Sequence, residues 1–67
     1  MRSSTVGELV YIPSDTNLTK YSDGQPKKVL CLKKPEYLLV REEQENKLGV
    51  YFQGDVWYVE KRKVYNV

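Results

Sequence analysis

The stretch that most constrains this chain is Leu48-Gly-Val-Tyr-Phe-Gln-Gly-Asp-Val-Trp-Tyr-Val-Glu60, which holds the only tryptophan, the only phenylalanine and two of the six tyrosines. Aromatic and β-branched residues fill both of its arms, and such residues favour strands. Gly54-Asp55 lies between the arms, and a glycine-first pair suits a type II′ hairpin turn. Two strands are predicted, Leu48 to Gln53 and Val56 to Glu60. That turn pairs Gln53 with Val56, Phe52 with Trp57, Tyr51 with Tyr58 and Val50 with Val59. Alternation along each strand then sorts the side chains. Leu48, Val50, Phe52, Trp57 and Val59 share a core face, with Phe52–Trp57 as its cross-strand aromatic pair. Gly49, Tyr51, Gln53, Val56 and Tyr58 share the other face. A slip of one residue in the Gly54-Asp55 turn is expected to exchange the two sets.

The remaining strands follow from runs and breaks. Gly7-Glu-Leu-Val-Tyr-Ile-Pro13 reads as a first strand that Pro13 stops. Residues 14–27 are polar and rich in turn formers, Ser22-Asp-Gly24 among them, and read as a long loop in which Leu18 and Tyr21 fold back as a lid. Lys28 to Lys33 is the second strand, and Lys34-Pro35 breaks it. Glu36 to Glu42 is the third, although a helix over 36–48 is an alternative. Glu60-Lys-Arg-Lys63 makes one short turn before a last strand, Val64 to Val67.

A chain of 67 residues holds one domain with a thin core. One cysteine and no histidine exclude an internal disulfide and the usual four-ligand Cys/His zinc sites. Dimerisation is the one staple left. Cys31, inside Val29-Leu-Cys-Leu32, reads as a small buried hydrophobe in a reducing compartment, which suggests the cytoplasm. No apolar run follows Met1 to Thr5, so no signal peptide is read there, and residues 1–5 are expected to be disordered. No stretch approaches the roughly 18 apolar residues of a membrane span, so no membrane partner is expected.

Five short strands and a sixth C-terminal one, without a convincing helix, define an all-β class. A small closed barrel would remove the exposed edges that an open arrangement leaves. The expected core is Val10, Ile12, Leu30, Leu32, Leu38, Val40, Val50, Phe52, Trp57, Val59 and Val64. Gly7-Glu-Leu-Val-Tyr-Ile12 resembles the first strand of SH3-like barrels, KOW and Tudor relatives included, which often open Gly-Asp-x-Val-x-Val. Gly54-Asp-Val-Trp-Tyr-Val59 followed by Glu60-Lys-Arg-Lys-Val64 resembles their ending, a strand, one tight turn and a short last strand. The resemblance covers about a third of the chain and implies one SH3-like domain over 1–67 with a binding role. The motifs of Pro-rich-peptide binders and the paired glycines of KOW domains are missing, so the resemblance implies no ligand. The segments Leu9-Val-Tyr-Ile-Pro-Ser14, Trp57-Tyr-Val59 and Val64-Tyr65 are also similar to those of small accessory proteins of tailed bacteriophages.

Chemistry is sparse. Without histidine the commonest general base is absent, and no serine has a recognisable activating partner. Glu42, Glu43 and Glu45 lack the Asp/Asn-Gly pattern of a calcium loop and read as a solvated turn. No cofactor is implied, and the chain is expected not to be an enzyme. Two surfaces remain. Tyr11, Tyr37, Tyr51 and Tyr58 alternate with core positions and would form an outward aromatic patch for a protein partner, stack the bases of a nucleic acid, or serve as half-buried strand filler. Lys27, Lys28, Lys33, Lys34, Lys61, Arg62 and Lys63 would track a nucleic-acid backbone if the second strand neighbours the C-terminal turn, or else solubilise the surface and block an edge. The net charge of +2 is too mild to decide. Non-enzymatic protein binding, as in a phage-encoded modulator of a host complex, is the leading expectation. Nucleic-acid binding is the second, and a structural subunit repeating through its edges is the third.

Overall fold

The computed structural model describes residues 6–67, so the disorder expected for residues 1–5 lies outside the described residues. Among the described residues, seven antiparallel strands form one sheet: β1 (Leu9–Ile12), β2 (Asn17–Ser22), β3 (Gln25–Cys31), β4 (Glu36–Glu43), β5 (Lys47–Phe52), β6 (Asp55–Glu60) and β7 (Tyr65–Asn66). One 3-10 turn, Lys61–Lys63, separates β6 from β7, where a short turn is expected. The strand order is β3-β2-β6-β5-β4-β1-β7. The chain is all-β, and residues 36–42 are strand, not helix. No helix among the described residues is long and apolar enough to cross a membrane.

The 14–27 segment is not a loop. Asp23 and Gly24 both take positive φ, 53° and 75°, as the central pair of a type I′ turn must, and they join β2 to β3 as a hairpin. A bulge between Lys20 and Tyr21 shifts the pairing, leaving Lys28 opposite Lys20 and Pro26 opposite Tyr21. The barrel does not close: β3 and β7 are the two edges of the sheet. β7 has two residues, too few to recruit a long strand, and β3 carries Pro26, Lys27 and Lys28, residues that protect an edge without pairing it.

The β5–β6 hairpin turns one residue earlier than expected. Gln53 and Gly54 hold positive φ, 52° and 79°, giving a type I′ turn in place of a II′ turn at Gly54-Asp55. The observed pairs are Phe52–Asp55, Tyr51–Val56, Val50–Trp57, Gly49–Tyr58 and Leu48–Val59. Moving a two-residue turn by one position lengthens one arm and shortens the other, so pairing shifts by two. With a side-chain period of two, the faces do not exchange. The expected Phe52–Trp57 and Tyr51–Tyr58 pairs are replaced, yet each residue keeps its face. Trp57 still reaches across the turn, its Nε1–H donating to the Phe52 carbonyl at 3.1 Å.

One face of the sheet curls around a single cluster: Val10, Ile12, Leu18, Leu32, Leu38, Val40, Leu48, Val50, Trp57 and Val59 are buried, with Leu30, Phe52 and Val64 packed against them. Every residue of the expected core is in this assembly. Leu48 and Leu18 join it, and Leu18 is fully buried as the anchor of the β2–β3 hairpin. Cys31 is exposed, against expectation. It alternates with Leu30 and Leu32 on an edge strand, which has little to cover its outer side.

Candidate functional site

Strand register arranges the outward face in rows. The first row is Tyr65 on β7, Tyr11 on β1 and Tyr37 on β4, each opposite the next. The Tyr11 and Tyr37 rings meet edge to face with centroids 5.2 Å apart, and Tyr65 lies 6.1 Å from Tyr11. Two residues along the strands, the second row is Leu9, Leu39, Tyr51 and Val56 across β1, β4, β5 and β6. Leu9, Tyr37, Leu39, Tyr51 and Tyr65 are all exposed, Tyr37 at 61% and Tyr65 at 59%. The Arg41 guanidinium stands 5.7 Å from the Tyr51 ring centroid and marks one border. Scattered apolar residues are ordinary on a surface, but contiguous ones mark contact sites.

The next row is different because of a bulge. β4 carries an extra residue at Arg41, so Val40 faces Val50 while Glu42, and not Arg41, faces Gly49. Bulges re-aim side chains. Here the extra residue carries Glu42 onto the outward face, beside Tyr58. The Tyr58 ring crosses Gly49, where a Cβ would lie 3.0 Å from Tyr58 Cε2 and 3.2 Å from Glu42 Cβ. The Tyr58 hydroxyl donates to the Glu42 carboxylate. That hydrogen bond, reinforced by partial burial and the carboxylate charge, pushes the Tyr58 pKa from 10.0 up to about 12. Tyr21 packs edge to face on Tyr58 at 5.5 Å, and Lys47 Nζ lies 4.2 Å from the Tyr21 centroid and 5.9 Å from that of Tyr58.

Of the four tyrosines singled out from the sequence, Tyr11 and Tyr37 touch, and Tyr51 joins them through Leu39. Tyr58 belongs to a separate network. Tyr65, Leu9 and Leu39 complete the patch and went unrecognised, although each alternates with a core residue: Val64, Val10 or Leu38. Among the basic residues, Lys27 and Lys28 line a depression of about 600 Å³ with Lys20, Tyr21 and Tyr58. Lys63 lines an adjoining one of about 220 Å³ with Lys47 and the same two tyrosines. Lys33 and Lys34 sit elsewhere, around a cleft of about 280 Å³ with Cys31 and Phe52. Lys61 pairs with Glu43 at 2.9 Å and Arg62 with Glu60 at 3.0 Å. The seven do not converge, because β2 lies between β3 and β6.

Compared with family models, with curated proteins and with solved structures, the chain matches none.

Proposed function

We propose that this chain is a non-enzymatic binding module of the SH3-like kind that docks a partner protein on the outward face of β1, β4 and β5. The observation that carries the reading is the contiguous patch of Tyr37, Leu39, Tyr51, Leu9, Tyr11 and Tyr65, held in water by strands whose other side is the core. Tyrosine rings bury much area at little entropic cost, which suits an interface. Arg41 at the border favours a partner that sets a carboxylate beside an apolar surface. The 3-10 turn before β7, and the pairing of β7 with β1, support the SH3-like relationship. The phage-like segments Leu9 to Ser14 and Trp57 to Tyr65 support a phage-encoded protein acting on a host complex in the cytoplasm.

Quantitative affinity capture from cells expressing the chain tests this. The comparison is wild type against Tyr37→Ser/Leu39→Ser and against Lys33→Glu/Lys34→Glu. The expected result is one protein retained by wild type and by the lysine variant and reduced at least about tenfold by the patch variant, since central anchors contribute on the order of 1–2 kcal/mol or more each. A partner list that the patch variant leaves unchanged refutes the reading.

A further inference from the structure

The β2–β3 hairpin meets β6 through a single ladder pair, Thr19–Tyr58, and two depressions lie along the seam between them. We infer that this seam is a track for the phosphate backbone of a single-stranded nucleic acid, independent of the protein-docking patch. Tyr21 and Tyr58 line both of its depressions, so the two form one continuous path. Lys20, Lys27 and Lys28 stand on one side of the tyrosine pair, and Lys47 and Lys63 on the other.

Of the acids at this seam, Asp55 and Glu60 are paired with cations, and the Glu42 carboxylate accepts from the Tyr58 hydroxyl. Asp55 pairs with Lys20 at 2.5 Å, and Glu60 with Arg62 at 3.0 Å and Lys63 at 3.9 Å. Lys28 is directly opposite Lys20, Lys27 is its chain neighbour, and all three line one depression with the single carboxylate of Asp55. Like charges placed opposite one another destabilise a sheet, and a bound anion relieves them. Asn17, Thr19 and Ser22 add neutral donors suited to phosphate oxygens. The tyrosines are half-buried between the two lysine groups, and a base would meet only the ring surface that Lys47 and their edge-to-face contact leave uncovered. Their mutual edge-to-face contact and the Tyr58 hydroxyl are engaged internally, so the track reads no base identity.

The test is the fluorescence anisotropy of a labelled 12-nucleotide oligothymidine titrated with the full chain. Binding is expected at 50 mM NaCl. It should fall roughly 20-fold at 200 mM, as about three neutralised phosphates of a single strand require. Lys27→Glu/Lys28→Glu should weaken binding at least tenfold, whereas Lys33→Glu/Lys34→Glu, with the same charge change away from the seam, should leave it within about twofold. All four lysines are exposed, and circular dichroism of both variants checks that the fold is kept. Absence of binding at 50 mM NaCl overturns the inference, as does equal loss in the two variants. Tighter binding of a duplex of the same length, or competition by poly-glutamate as effective as that of the unlabelled oligonucleotide, also overturns it.

Discussion

On β4 and β7 the tyrosine rings of the outward face stand in water with the half-buried Tyr11 of β1 between them, while on β2 and β6 they are held by one another, by Lys47 and by Glu42. Residue type does not separate the two halves. Tyr37 and Tyr58 are both strand tyrosines next to core positions, Leu38 on one side and Trp57 and Val59 on the other. The bulge at Arg41 separates them, by delivering a carboxylate to Tyr58, together with Gly49, which leaves room for the ring. The same side chain is an open contact in one half and an internal strut in the other. Tyrosine content on a sheet therefore says little about binding until the partner of each hydroxyl is known.

The largest effect should come from the core beneath both halves. Leu48→Ala is expected to cost about 3 kcal/mol in urea denaturation, whereas exposed Leu39→Ala stays within about 0.5 kcal/mol. Similar losses at the two positions would remove the distinction between packed and open faces. Next, Gly49→Ala places a methyl 3.0 Å from the Tyr58 ring and 3.1 Å from Val56 Cγ1. A cost of about 1–2 kcal/mol and displacement of the ring are expected. Unchanged stability and an unmoved Tyr58 aromatic resonance would contradict the close crossing.

Tyr58→Phe should cost less than about 1 kcal/mol, since the hydrogen bond is half open to water. The folded pKa is raised, so this group's contribution is fully present below the ordinary tyrosine value of 10.0 and is lost as pH rises toward about 12. The phenolate absorbance titration of the variant should lack the step near pH 12. The smallest effect belongs to the exposed end of the seam. The hydrogen bond from Lys20, with that from the Val56 N–H, holds the Asp55 carboxyl below its usual range. Its contribution is present above that range and is lost as pH falls through the lowered value. Asp55→Asn should flatten the acid limb of stability against pH, and an unaltered limb would show the Lys20 pair to be inert.

The faces of β1, β4, β5 and β6 were legible because Val10, Ile12, Leu38, Val40, Val50 and Val59 alternate with outward neighbours that, Leu9, Leu39 and Gly49 apart, are polar or aromatic. They survived a misplaced turn because the error shifted pairing by an even number. The β2–β3 hairpin was hidden because Leu18 is its one fully buried side chain and its hydrophobic pattern is correspondingly faint. Asp23-Gly24, a strong type I′ signal, was its available marker. The bulge at Arg41 left no trace in Val40-Arg-Glu42. It depends on what lies opposite, Gly49, and that is settled only once β4 and β5 are paired. The split of the tyrosines followed from the bulge and was unreadable for the same reason.

The most direct test of the divided face is residue-resolved tyrosine nitration with tetranitromethane at low conversion, mapped by mass spectrometry. Tyr37 and Tyr65 should be modified first, and Tyr58, whose hydroxyl is tied to Glu42 and resists ionisation, last. Modification of Tyr58 as early as that of Tyr37 would contradict the account.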